Sequence, residues 1–436
     1  MDYAPPSYYH SQQKKRMIFI STIIIIILGI LLFFMMNQEE TVVERYRVCG
    51  LSEEETIAKL HQEETNIFTI KDYFYYGESL NFYEKEYSPL NADTLSGKTI
   101  ELKNICNDET ISMTLENTLD QKLLLESIPV GFYQVGIIDN LEYKRLVFDH
   151  PLEENEFYTA KRNGKVKKIQ LIAQKDLLKE YGIEMNHHYL FISVSEEEAS
   201  KEEVDVYIDP YGMNTDFTWL ADKGNEAHGL VENDEMWKAA NLLKEELEKN
   251  YGLRVAISKS SKDEEGKAYG ENGRLAKGYQ LNAKYYLMLR FNLHGDDSIK
   301  GLEIHHSHYT SKILARTITY RLKKKLNVPL SPLYYGEDEG IVTTLLTKGK
   351  DGEMIYDSNL YLRESGGRGT LCAKYSDTSE LENVSFANEN GMYGLEIDFG
   401  YISNAEDASY WKINHKAFIQ EIAAAFAEGI NVSRIK

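Results

Sequence analysis

After Glu203 the chain settles into an alternation that leaves few choices of fold. "VDVYIDP" (204–210) has the apolar density of a buried strand, "NDEMWKAANLLKEELEKNYG" (233–252) is an amphipathic helix closed by a glycine, and "LRVAIS" (253–258) is a strand again. A helix in "GRLAKGYQLNA" (273–283) precedes strands in "KYYLMLRFNL" (284–293) and "GLEIHH" (301–306). The helix "YTSKILARTITYRLKKKLN" (309–327), the strand "YGLEIDFGYIS" (393–403) and the helix "HKAFIQEIAAAFAEGI" (415–430) complete the series. Strands alternating with helices predict an α/β domain over 204–430, a sheet flanked by helices. In such sheets functional groups gather beyond the carboxyl ends of the strands.

Residues 67–200 keep a different period. Short runs such as "KTIELKNI", "TISMTLEN", "FYQVGII" and "HYLFISV" alternate apolar with polar residues between Gly, Asn and Asp, which predicts an all-β, sandwich-like domain. The phrase "LLLESIPVGFYQVGI" (123–137) resembles the strand, turn and strand of transthyretin-like or Cna-B-like surface sandwiches. A short helix is expected in "KDLLKEYGIEM" (175–185). Residues 37–66 hold another helix, with Ser52 and Glu55 spaced as a capping box, and serve as a stalk or lid.

Upstream, Met17–Met36 is an uncharged apolar run of 20 residues, long enough as a helix to span ~30 Å of hydrocarbon. Lys14, Lys15 and Arg16 precede it and Glu39 and Glu40 follow it. The positive-inside bias then predicts a single-pass anchor at 17–36, a cytoplasmic tail at 1–16 and an extracytoplasmic remainder. The formal charge of −20 disfavours nucleic acid, because each phosphate contact needs an unscreened Lys or Arg. Cys49, Cys106 and Cys372 are too few and too scattered for a disulfide framework or a thiolate zinc site, and burial is their expected role.

Several motifs in 204–430 recur together. "IDPYGMN" opens the domain, "GLVE" (229–232) opens a helix, "RLAKGYQLNAKYYLMLRFN" runs from Arg274 to Asn292, "GLE" (301–303) begins a strand and "EIDFGYISN" runs from Glu396 to Asn404. In this order and spacing they resemble the zinc-dependent N-acetylmuramoyl-L-alanine amidases, the catalytic domains of bacterial cell-wall hydrolases. The resemblance implies an amidase-like α/β fold, peptidoglycan as the ligand, and a zinc ion held by two histidines and a glutamate. Its zinc positions fall here on Gly212, Glu232 and Arg290, and its acid/base glutamate falls on Asp398.

Two of those positions depart from the pattern: Gly212 has no side chain and Arg290 is a fixed cation. Glu232 survives as a ligand and Asp398 as a shortened acid, with Glu396 two residues before it on the same strand face. Arg290 is therefore expected to pair with Glu232, Asp398 or both, where zinc would otherwise sit, leaving no metal cofactor. Arg290, Asn292 and Glu396 become candidate substrate-binding residues. These expectations describe a membrane-anchored pseudo-amidase that binds peptidoglycan, or a wall hydrolase, division or sporulation protein. One alternative is an active amidase with zinc in an atypical site; another is a scaffold whose β domain captures a partner.

The remaining motifs read more plainly. His306 and His308 could share a strand face as metal donors, with His305 and His294 nearby, although solvated histidines at a strand end are the simpler expectation; so too for His187 and His188. "ESGGRGTL" (364–371) lacks the context of a phosphate loop and is expected to be a mobile loop. "RLKKKLN" (321–327) is a basic helix end facing the helix dipole.

Overall fold

The computed structural model describes residues 19–22, 41–46 and 50–435, apart from 77, 86–94, 96, 116–122, 153, 201–202, 217–219, 271, 309, 311, 334–337, 349–354, 367–369 and 372–391. Among the described residues no helix is long and apolar enough to cross a membrane. The expected anchor at 17–36 lies outside them except for 19–22, which are helical.

The central sheet of the C-terminal domain has, among the described residues, six strands: β1 (Val206–Pro210), β2 (Val255–Ile257), β3 (Tyr285–Asn292), β4 (Glu303–His306), β5 (Ile341–Thr343) and β6 (Tyr393–Tyr401). Their spatial order is β2-β1-β3-β6-β4-β5. All neighbours are parallel except β4, which runs antiparallel to β6. Among the described residues five helices accompany them: α1 (Glu232–Tyr251), α2 (Arg274–Gln280), α3 (Ile313–Leu326), α4 (Leu360–Gly366) and α5 (Ala405–Gly429).

Side chains alternate across a strand, so each strand feeds two cores. Val206, Ile208, Leu287, Leu289, Leu395 and Ile397 pack against Met236, Leu243, Ile318, Phe418 and Ile422 of α1, α3 and α5. Tyr207, Tyr286 and Met288 face the other way, onto Leu275 and Tyr279 of α2 and Tyr361 of α4. The result is the expected sheet flanked by helices. The last helix begins ten residues earlier than its apolar run suggested, because Asn404 caps it, accepting from the backbone N–H of Glu406 and Asp407.

The first half is made of strands, as its period-2 alternation requires. Among the described residues nine strands form one sheet, and four short ones, 72–76, 79–83, 123–124 and 370–371, form another. Tyr73, Tyr75, Leu80 and Phe82 of the small sheet share a buried cluster with Ile100, Val135, Ile137, Leu146 and Ile192 of the large one. The helix expected within 175–185 is a single 3₁₀ turn, Lys179–Tyr181, stopped by Gly182 in the left-handed region. Helix Glu53–Leu60 carries the expected capping box at Ser52 and Glu55. It covers the large sheet rather than standing free: Leu60 and Tyr46 are buried with Phe132, Val147 and Phe191. Cys106 is disulfide-bonded, which corrects its reading as a merely buried thiol.

The two halves share polar contacts as well as chain. Buried Glu78 accepts from the Ala160 N–H, from Arg162 Nη2 at 3.1 Å and from the Tyr285 hydroxyl, while Arg162 Nη2 also donates to the Ile430 carbonyl at 2.7 Å. Thr370–Leu371 pairs with Tyr75 and Phe74, so a segment of the C-terminal half completes the small sheet of the first. The described ends of 364–371 are thus a helix end and a strand, not a loop; backbone partners in the other half order the strand.

Candidate functional site

Strand register gathers the site. Arg290 lies opposite Asp398, and Met288 opposite Glu396, on the parallel pair β3–β6; Glu303 lies opposite Asp398, and His305 opposite Glu396, on the antiparallel pair β4–β6. With alternating side chains, Arg290, Glu396, Asp398, Glu303 and His305 therefore occupy one face of the sheet, the face toward α2 and α4. Asp209, at the end of β1, joins the same face.

Arg290 bridges two carboxylates. Its Nη1 is 3.3 Å from Glu396 Oε1 and its Nε 3.4 Å from Asp398 Oδ1, and the guanidinium carbon stands 4.9 Å from the centre of the Tyr211 ring. On the far side of Asp398, His305 Nε2 lies 3.2 Å from Asp398 Oδ2 and 3.2 Å from Glu303 Oε2. Asn292 Nδ2 donates to Glu303 at 2.8 Å, the Tyr401 hydroxyl donates to the same carboxylate, and Asn359 Nδ2 donates to Glu396 at 2.9 Å. Glu303 and Glu396 are thus held by directed donors, whereas Arg290 Nε and Asp398 Oδ1 meet as an ion pair without a hydrogen bond.

Glu232 stands apart from this row. Its Oε1 accepts the Phe291 N–H at 2.7 Å, and its Oε2 accepts the Asn225 N–H and side-chain amide at 2.8 and 3.0 Å. The expected pairing of Arg290 is thus met by Asp398 and by Glu396, whereas backbone and side-chain amides take both oxygens of Glu232. Burial lifts the Glu232 pKa to about 7 against the lowering influence of Arg290 and those amides. Burial also raises Asp398. It would lower His305, but the hydrogen bonds to Asp398 and Glu303 outweigh it and hold the ring's pKa near 10.

Asp209 has a fixed structural role. It accepts from Arg274 Nε at 2.8 Å, Ser258 Oγ at 2.6 Å and the Tyr286 hydroxyl at 2.9 Å, and is fully buried. Arg274 reaches on to Asn214 Oδ1 at 2.6 Å, fixing the turn that follows β1.

Against the simpler expectation, the histidines at this strand end are not solvated: His306 is buried and His305 half-buried. His306 points away from the acidic face and bonds Thr343 Oγ1 at 2.8 Å, whereas His305 joins Glu303 and Asp398, with one donor atom of each within 4.8 Å of the others. The signal was present in "GLEIHH": Glu303 and His305 are two apart and so share a face. Asn359 and Tyr361 carried no signal, since only the placement of α4 brings them here. His187 lies edge-on to Tyr189 in the first half, where His188 pairs in a strand.

The positions that would hold zinc do not fit it. Gly212 has φ +117°, and a Cβ there would stand 2.5 Å from Asn233 Oδ1. Arg290 places a cation between the carboxylates, and Glu232 spends its lone pairs on amides. A zinc site needs three converging donors, and Gly212, Glu232 and Arg290 do not bring three together.

Residues 220–432 match the family model described as N-acetylmuramoyl-L-alanine amidase. Similar solved structures include the catalytic domain of the amidase CwlV from Bacillus (Paenibacillus) polymyxa var. colistinus, at 17% identity and TM-score 0.34, covering 52% of this chain and 96% of that one. A putative N-acetylmuramoyl-L-alanine amidase from Neisseria meningitidis aligns at 16% identity and TM-score 0.35, over 53% and 98% of the two chains. The CwlD amidase from Clostridioides difficile, solved in complex with the GerS lipoprotein, aligns at 14% identity and TM-score 0.34, over 52% and 97%. No curated protein matches the chain.

Proposed function

Residues 220–432 form a domain of the N-acetylmuramoyl-L-alanine amidase family, and from that premise we propose that the chain is a membrane-anchored, extracytoplasmic pseudo-amidase that engages peptidoglycan without hydrolysing it. The observation that carries this reading is Arg290, paired with Glu396 and Asp398 where a metal donor would be required. Gly212, closed off by Asn233, and Glu232, held at both oxygens by amides, support it. The anchor at 17–36 would hold the domain against the wall on the outer side of the cytoplasmic membrane. A disulfide at Cys106 suits that oxidising side. The protein would act by binding wall peptides or by presenting them to a hydrolase, division or sporulation protein.

A second reading, hydrolysis of the bond between N-acetylmuramic acid and L-alanine at an atypical centre, draws on Glu303, His305 and Asp398, whose donor atoms converge within 4.8 Å. One experiment separates the two. The full-length chain in detergent is incubated with purified walls, with and without added zinc, and both co-sedimentation and newly freed L-alanine amino groups are measured. Co-sedimentation without release is expected, and release under either condition overturns the proposal. Arg290→His is expected to gain no release and to lose about 3 kcal/mol in urea denaturation, because Glu396 and Asp398 lose their fixed cation.

A further inference from the structure

A cavity of about 360 Å³ opens beside Arg290, lined by Tyr211, Tyr269, Tyr361, Asp216, Asp222 and Glu396 among others. It lies off the end of β1, on the side of the sheet covered by α4, and its size suits a single side chain or small-molecule head group. Its walls are aromatic and held in place. Tyr361 packs 5.2 Å from Tyr269 and 6.4 Å from Tyr211, centroid to centroid. The Tyr361 hydroxyl accepts from Asn214 Nδ2 at 3.0 Å, and the Tyr211 hydroxyl donates to Asp222 at 3.0 Å.

The charge of the lining is unbalanced. Glu396 has Arg290 as its counter-cation, whereas among the described residues the donors to the other two acids are neutral. Asp222 accepts from the Gly224 N–H at 2.8 Å and from Tyr211, and Asp216 accepts from the Ala268 and Tyr269 N–H groups at 2.9 and 3.3 Å. Three carboxylates thus face one guanidinium that already divides itself between Glu396 and Asp398. An anion would be repelled here, and a hard metal ion would find ring faces where it needs converging oxygens. Aromatic faces beside uncompensated carboxylates favour an organic cation, and Tyr211 already accepts one from Arg290. Carboxylate lone pairs further favour a cation that carries N–H donors.

We propose that the tyrosine-walled cavity bounded by Tyr211, Tyr269, Tyr361, Asp216 and Asp222 binds a primary alkylammonium group, the charged end of a diamino-acid side chain in a peptide. This rests on the reading that the cleft engages wall peptides and specifies which chemical group it grips. The probe is Nα-acetyl-lysine amide, titrated calorimetrically into the full-length chain in detergent, with the uncharged isostere Nα-acetyl-norleucine amide as the comparison.

The lysine derivative should bind roughly tenfold or more tightly than the norleucine derivative. Asp222→Asn, which keeps the shape of the side chain, and Tyr361→Leu should each weaken it roughly tenfold, while Tyr361→Phe retains most of the affinity. Equal affinity for the two derivatives, or lysine affinity unchanged in both Asp222→Asn and Tyr361→Leu, overturns the inference. If that happens while the chain still sediments with intact walls, the inference fails and the wall-binding reading stands. Release of L-alanine amino groups would instead remove the reading on which the inference rests.

Discussion

At the scale of residues, the site is a row of alternating charge: Arg290 against Glu396 and Asp398, then His305 against Asp398 and Glu303. Its pH behaviour follows from the sign of one shift. The pKa of His305 is raised to about 10 in the folded chain, so the imidazolium contributes stability that is fully present below its unfolded value of about 6.5 and is lost as pH rises through 10. The stability difference between the native chain and His305→Gln should therefore be largest near pH 6.5 and shrink toward pH 10, followed by thermal melts across that range. A difference independent of pH would mean that the ring is neutral throughout. The pairing of Arg290 with Asp398 could be read from the motif; the role of His305 depended on strand register.

At the scale of elements, helix ends and strand alternation explain where the functional groups stand. α5 has no basic residue in its last turn, and its start is fixed by Asn404 with Glu406 and Asp407 in the first turn. Asp407 reaches back to the N–H groups of Gly301 and Tyr401 at 2.8 Å each, tying the helix to the strands that carry Glu303 and Asp398. Asn404→Ala should cost about 1 kcal/mol in chemical denaturation, the usual worth of a lost N-cap. A loss below a few tenths would show that solvent caps the helix equally well. α5 begins ten residues before the apolar run "HKAFIQEIAAAFAEGI" because its first turns carry polar residues, and Asn404 marks the start that the hydrophobic pattern does not. The histidines show the same limit, since "GLEIHH" reveals which residues share a face only once the strand is given its frame.

At the scale of the molecule, the two halves are joined by a buried polar knot and a shared sheet. Glu78 of the first half holds Tyr285 of the second, and Arg162 holds both Glu78 and the Ile430 carbonyl. Glu78→Ala leaves Arg162 without its carboxylate in a buried setting and should destabilise the chain by about 3 to 5 kcal/mol. Because that loss falls on the junction, calorimetry should split a single unfolding transition into two. One unbroken transition at an unchanged temperature would show that Thr370–Leu371 and the apolar contacts alone unite the halves.

The amino-acid sequence by itself determined the α/β character of 204–430, its motif order, the strand content of 67–200 and the identity of the residues at the former ligand positions. These follow from local periodicity and from residue chemistry, which travel with the chain. Only the tertiary structure decided that Arg290 meets Glu396 as well as Asp398, that amides take up Glu232, that His305 joins the carboxylates while His306 is buried away from them, and that α4 walls a tyrosine-lined cavity. Each of those outcomes depends on register between strands distant in sequence, or on a helix laid across them. A long-range contact of that kind leaves no periodic trace in the segments that make it.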